Sequence, residues 1–442
     1  MNTPIRDFVK NYIDKETTRA HMPGHKGAGA LGIEQYDITE IMGADSLFEA
    51  SSIIKESEEN ASSIFGAHTY YSTEGSSLCI RAMLYLCSLF AKAKGKAPLV
   101  LSARNVHKSF VSALAMLDLD VQWIIGDNAT YLSCEIDADM LDKKLCSMSK
   151  KPVAFYVTSP DYLGNVADIK AISDVCKKHC VMLLVDNAHG AYLKFLEQSG
   201  HPLDLGATMC CDSAHKTLPV LTGGAYLHIA SDADELLVKN AKSALSLFAS
   251  TSPSYLILQS LDMANNTLAD GYEQTLREYI RKVDVLKSEL KTAGYTLVGN
   301  EPLKLTINTK SYGYTGTDFA EILRDKNIEC EFCDPDFVVL MLTPQLPLDA
   351  IKNALLLIEK REAIADTPPA LSLPQRAMSA RQAVLSNSRT VDVKDSIGKI
   401  LSNVTVGCPP AVPVLVSGEV IDTTALECFS YYGIDTCDIV IE

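Results

Sequence analysis

From about residue 60 to residue 230, short apolar runs alternate with stretches of helical periodicity. The runs are "APLVLSA", "VQWIIGD", "PVAFYVTS", "VMLLVDNAH" and "GAYLHIA". Between them, "SSLCIRAMLYLCSLFAKAK", "HKSFVSALAMLD" and "DIKAISDVCKKH" space their apolar residues three and four apart, as helices do. The strand candidates are continuous in Val, Ile and Leu rather than alternating, which marks strands covered on both faces. The pattern therefore predicts an α/β large domain with a mainly parallel sheet.

Beyond residue 230 the helical stretches lengthen, first in "DADELLVKNAKSALSLF" and then in one long run from "SYLILQSLD" to "KSELKTAG". The segments "LKLTINTK", "TDFAEILRDKN", "ECEFCDPDFVVLMLT" and "LDAIKNALLLIEKREAI" predict a small α+β domain, and the Pro-rich "DTPPALSLPQ" predicts a linker. The organisation expected is an N-terminal arm (1–60), a large domain (61–260), a small domain (261–365) and a C-terminal domain (376–442).

A chain of 442 residues, 47% hydrophobic and 21% charged, is long enough to bury a large core. The first residues carry charges throughout and no run approaches a membrane span, so the expectation is a cytoplasmic protein with no membrane partner. A formal net charge of −15 argues against nucleic acid, which requires clustered positive charge. Thirteen cysteines, an odd number, suit free thiols better than a disulfide framework. The clusters "CKKHC" (Cys176, His179, Cys180) and "CEFC" (Cys330, Cys333) lack a second ligand pair at zinc spacing, so no metal is expected.

In open α/β sheets ligands bind beyond the carboxyl ends of the strands. That rule singles out His107, Ser159, Tyr162, Asp186, His189 and Lys216. Lys216 stands in "CCDSAHKTLPVLTGGAYLHI", between two apolar segments. It is either a surface loop lysine or an amine whose lowered pKa suits it to attack a carbonyl. Asp186, at the end of "VMLLV", fits a helix cap, a metal ligand or the partner of a protonated heterocyclic nitrogen. Gly75, Ser76 and Ser77 in "STEGSSLCIRAML" open a helix, and offer either a phosphate site or an ordinary serine cap. His107 can stack on a planar ligand or cap the helix after it.

Taken in order, "HMPGHKG" (21–27), "DITEIMGADSLFEASSIIKESEENASSIFGAHTYYSTEGSS" (37–77), "RNVHKS" (104–109), "VDNAHGAYLKF" (185–195), "DSAHKTLPVLTGGAYLHI", "STSPSYLILQSLD" (250–262) and "CPPAVPVLVSGEVI" (408–421) resemble the Orn/Lys/Arg decarboxylases. The resemblance is to the shorter members of that family and covers nearly the whole chain. It implies the fold-type I architecture of pyridoxal 5'-phosphate (PLP) enzymes, similar to aspartate aminotransferase. The implied reaction is decarboxylation of a basic amino acid, and the implied assembly is a homodimer or a dimer of dimers.

Carried over by motif, the resemblance makes Lys216 the Schiff-base lysine and Asp186 the partner of the pyridine nitrogen. His107 would stack on the ring and Ala188 would pack its other face. Ser76, Ser77, Ser213 and His215 would contact the phosphate, with Gly75 permitting close approach. His215 or Lys216 is the candidate proton donor, and the role of His189 stays open. For a cationic substrate side chain the acidic candidates are Glu329, Glu331, Asp334, Asp336 and Glu419, with arginine ranked before lysine and ornithine. Departures from the family pattern lie at Glu74, at Asn403 and in Cys408, Ala411 and Val412 of "CPPAVP". Two rival readings are an aminotransferase or other PLP lyase, and a catalytically silent binding protein. "ECEFCDPDFVVLMLTPQ" holds no arginine to clamp a carboxylate, which favours decarboxylation, and a scaffold has no use for both Lys216 and Asp186.

Overall fold

The computed structural model describes residues 1–127, 129–371, 373–404 and 411–441, so Cys408 lies outside the described residues. Seven strands of the first 230 residues matter here: β1 (His68–Ser72), β2 (Leu99–Ala103), β3 (Asp120–Ile124), β4 (Ala154–Thr158), β5 (Met182–Asp186), β6 (Met209–Asp212) and β7 (Ala225–Ile229). The chain divides into two compact units, Met1–Lys96 with Met182–Thr275, and Ala97–Val181 with Leu276–Glu442. The stretch 61–260 is thus shared between the two.

In the first unit the strand order is β1-β7-β6-β5. β5 and β6 run parallel, while β7 is antiparallel to both β6 and β1. β5, β6 and β7 are buried at every position, with Asp186, Asp212 and His228 as the polar exceptions in otherwise apolar strands. The hydrophobic pattern missed β1, because "HTYYS" is polar and its first residue is exposed. Helix Gly75–Ala93 packs on β6, β7 and helix Glu235–Ser246. By length and composition it matches a membrane span, contrary to the expectation that no run approaches one, but Leu78, Ile80, Met83 and Leu84 are buried within the protein, as in a core helix.

The N-terminal helix Pro4–Asp14 tucks Ile5 and Val9 into the same unit, and the Arg6 N–H donates to Asp262 at 3.0 Å. Asp45 then accepts from the N–H groups of Ser51, Ser52 and Ile54, and so fixes the start of helix Ile53–Phe65 without a side-chain cap at Ser52.

In the second unit β2 lies between β3 and β4, all parallel. The small domain is an antiparallel sheet in the order β10-β11-β9-β8, built from β8 (Thr296–Val298), β9 (Lys304–Asn308), β10 (Phe332–Cys333) and β11 (Phe337–Met341). The C-terminal segment pairs β12 (Ser388–Asp392) with β13 (Thr436–Val440) beside a cluster of Leu401, Val414, Ile421 and Phe429. The single long helix expected after residue 253 is two, Tyr255–Ala269 and Tyr272–Thr292, because Asp270 leaves helical geometry and Gly271 takes φ +74°. No disulfide joins the described cysteines.

Candidate active site

The residues expected to bind a cofactor in the first unit gather beyond the carboxyl ends of β5 and β6. Asp186 closes β5 and is 2% exposed. Its Oδ1 accepts from the Ala188 N–H at 3.2 Å, and the Cys211 thiol across the β5–β6 pair lies 3.7 Å away. Burial holds that thiol protonated by pushing its pKa up, and the Asp186 charge adds to the effect. A carboxylate so enclosed is suited to hold a proton on a partner rather than to dissolve its charge in water.

β6 is followed at once by the helical turn Ala214–Thr217, which carries Lys216. Its Nζ sits 2.8 Å from His189 Nε2, so a proton on either atom is shared with the other. His215 Nδ1 lies 2.9 Å from the Gly224 carbonyl and can only donate to it, which leaves Nε2 as the acceptor in the neutral ring. His189, whose role the sequence leaves open, is brought beside Lys216 by the fold. Its signal was the position three residues after Asp186.

The start of helix Gly75–Ala93 is not capped by a serine. The cap position is Glu74, and it makes no side-chain capping bond; its carboxylate accepts from the Ser250 N–H at 2.7 Å instead. Gly75 itself stands at φ +69°, a conformation that disfavours any side chain, and gives its N–H to the Gly223 carbonyl at 2.8 Å. Ser76 Oγ lies 2.8 Å from Ser213 Oγ, so the loop before Lys216 meets the helix start through two hydroxyls. A 19-residue helix without a side-chain cap, with two hydroxyls converging on its first turn and no acid within that turn, fits a phosphate dianion.

In the second unit His107 is the N-cap of helix Lys108–Leu117. Its Nδ1 accepts from the Ser109 N–H at 3.1 Å, which places the proton of the neutral ring on Nε2. Ser159 accepts from the Ala167 N–H at 3.0 Å, and the Tyr162 hydroxyl donates to Glu331 at 3.1 Å. Of the acidic candidates, Glu329 is exposed and faces Arg324 at 3.4 Å. Asp334 is buried, accepts from the N–H groups of Asp336 and Phe337 at 2.8 Å, and is pushed up by burial to about 6. Asp336 accepts from the Tyr431 hydroxyl at 2.7 Å and from Lys310 at 3.0 Å.

Glu419 forms a 2.8 Å ion pair with Arg104 of the "RNVHKS" motif, with both side chains 1–2% exposed, and accepts from the Val416 N–H at 2.9 Å. Removing one partner of such a pair strands the other charge. Glu419→Ala is expected to lower stability by about 3 to 5 kcal/mol in chemical denaturation, and an unfolding midpoint equal to wild type would contradict this. His179, weighed with Cys176 and Cys180 as a metal ligand, instead meets Asp142 at 2.6 Å and Cys146 at 4.0 Å, while Cys176 is buried.

Comparison with known proteins bears on the family and the fold. The family model for the major domain of Orn/Lys/Arg decarboxylases matches residues 3–299. An arginine decarboxylase of Bacillus subtilis is 29% identical over 466 positions, covering 95% of this chain and 91% of that protein. Among solved structures, lysine decarboxylase A from Pseudomonas aeruginosa superposes with a TM-score of 0.80 at 16% identity, covering 99% of this chain and 80% of that one. The constitutive lysine decarboxylase of Escherichia coli gives 0.75 at 17%, covering 100% and 82%. These likenesses show the fold. The chain belongs to the Orn/Lys/Arg decarboxylase family and is, by class, a fold-type I, PLP-dependent amino acid decarboxylase.

Proposed function

We propose that the protein decarboxylates a basic amino acid, arginine in preference to lysine or ornithine, with PLP held covalently at Lys216 Nζ. The observation that carries this reading is the convergence, within one unit, of Lys216, the buried Asp186 and the uncapped helix start with Ser76 and Ser213. Ser76, Ser77, Ser213 and the first-turn amides would hold the phosphate, Asp186 the pyridine nitrogen, and Ala188 one face of the ring. When bound, PLP supplies an electron sink for the pair left on the α-carbon as carbon dioxide departs.

The protein's own groups do the rest. Asp186, shielded from water, keeps the proton on its partner nitrogen. Lys216, with His189 2.8 Å away to recharge it, returns a proton to the α-carbon. His215, tethered to the Gly224 carbonyl, steadies the loop that carries Lys216. The relatives named arginine decarboxylase align over more than nine-tenths of their length, which favours arginine as the substrate.

Purified protein mixed with PLP is expected to show a visible absorbance band that borohydride fixes to the Lys216 peptide. It is expected to release carbon dioxide and the matching amine from arginine faster than from lysine or ornithine. A colourless protein would overturn the cofactor reading, and a coloured protein inert to all three would overturn the substrate class.

The active species we propose is a homodimer. The N-terminal arm leaves Met22, Leu31, Ile33 and Met42 exposed, an apolar series that a second copy would cover. Sedimentation of an active, PLP-loaded monomer would contradict it.

A further inference from the structure

Asp212 ends β6 one residue before Ser213, and its side chain is wholly buried. A carboxylate removed from water is destabilising unless its oxygens are met by donors, and three side chains meet this one. His201 Nε2 lies 3.0 Å and His228 Nε2 3.2 Å from Oδ2, while Asn187 Nδ2 donates to Oδ1 at 2.7 Å. His228 is steadied in turn by Thr69 Oγ1, 2.9 Å from Nδ1, and both imidazoles pack against Phe65. Burial opposes the charge, yet the two imidazoles hold the Asp212 carboxyl well below the usual range.

Cys210 brings its thiol within 4.8 Å of His201 and Asp212, the spacing of a metal centre. That thiol is kept protonated by burial, and the carboxylate already has its three donors, so the cluster is hydrogen-bonded in character.

The cluster reaches the site through Asn187, the residue between Asp186 and Ala188. Its N–H donates to the Cys211 carbonyl at 3.0 Å, its carbonyl accepts from the Gly190 N–H at 2.8 Å, and its amide is tied to Asp212. The turn is so tight that a Cβ on residue 190 would lie 2.0 Å from Asn187 Oδ1. We propose that Asp212, gripped by His201 and His228, is a positioning residue that acts through Asn187 to fix the direction of the Asp186 carboxylate and the seating of the cofactor ring. This rests on the reading of Asp186 as the pyridine partner.

The test compares holoenzymes of wild type, Asn187→Ala, Asp212→Asn and the double variant. It measures PLP dissociation, the induced circular dichroism of the bound cofactor, and kcat and KM separately. Each single variant is expected to bind PLP about tenfold more weakly, to lose induced dichroism, and to lower kcat about tenfold with KM nearly unchanged, as misorientation does. The double variant is expected to be no worse than the poorer single one, because both changes break one path.

A cofactor affinity and dichroism equal to wild type in Asn187→Ala, with only a lower Tm, would overturn the proposal, as would additive losses in the double variant. Should Asp212→Asn fail to fold, Asn187→Ala decides alone, since it leaves the pairing of Asp212 with the histidines in place. A wild type that never binds PLP would bring down the cofactor reading as well, and is told apart by its own lack of a visible band.

Discussion

On the proposed function, Lys216→Ala is expected to abolish the borohydride-stable link to PLP and to lower kcat by at least about 10⁴-fold, because it would remove both the covalent anchor and the proton donor to the α-carbon. Two measurements separate the roles. The visible band should shift to that of PLP held without a covalent bond, which reports the anchor. Added small amines should restore part of the rate without restoring the link, which reports the proton. His189→Ala should leave the link intact and slow the return of the proton, since Lys216 Nζ loses its 2.8 Å neighbour. A Lys216→Ala protein with the wild-type band and unchanged turnover would remove Lys216 from the mechanism altogether.

Asp186→Asn is expected to lower kcat on the order of 10² to 10³-fold with little change in substrate affinity. An amide in that place cannot stabilise a protonated ring nitrogen, so the electron sink is weakened where charge develops in the transition state. The enclosure of Asp186, with the Ala188 N–H and the Cys211 thiol as its neighbours, makes the loss large because water has little access to supply the missing charge. The carboxyl-carbon kinetic isotope effect on release of carbon dioxide should rise, showing that the carbon–carbon bond step has become slower relative to binding. An Asp186→Asn enzyme within threefold of wild type would assign the pyridine partner elsewhere.

The apolar runs located β2, β4, β5 and β7 to within a few residues, because strands covered on both faces leave a continuous apolar record, and they located β3 too, although it is an edge strand whose residues alternate in exposure rather than being buried throughout. β1 left no such record, since its partner is β7 on one side alone and its polar residues suit an edge. The antiparallel course of β7 was equally hidden, because strand direction is set by where connections return and not by residue type. Among the candidate residues, Asp186 and Lys216 stood out by their places after apolar segments, and Ser76 by opening an apolar helix. That no serine caps the helix at residue 75 was not legible, because it turned on Glu74 holding the cap position and reaching away to Ser250. Likewise "CCDSAHK" showed Asp212 plainly, but only the fold brings His201 and His228 onto it. The acidic stretch "ECEFCDPD" proved a mixture of an exposed glutamate at 329 and buried, hydrogen-bonded aspartates, a distinction that composition cannot make.

The first unit is written in two instalments. Ser76 and Ser213 touch although they stand 137 positions apart, and the strand and turn that carry Asp186 and Lys216 are translated only after residues 97–181, which belong to the other unit. A growing chain therefore displays the helix Gly75–Ala93, apolar on much of its surface, long before β6 and β7 exist to cover it. Contacts so distant in sequence form slowly, and the exposed intermediate is prone to self-association. Synthesis of this enzyme should accordingly favour slow translation or chaperone assistance up to about residue 230.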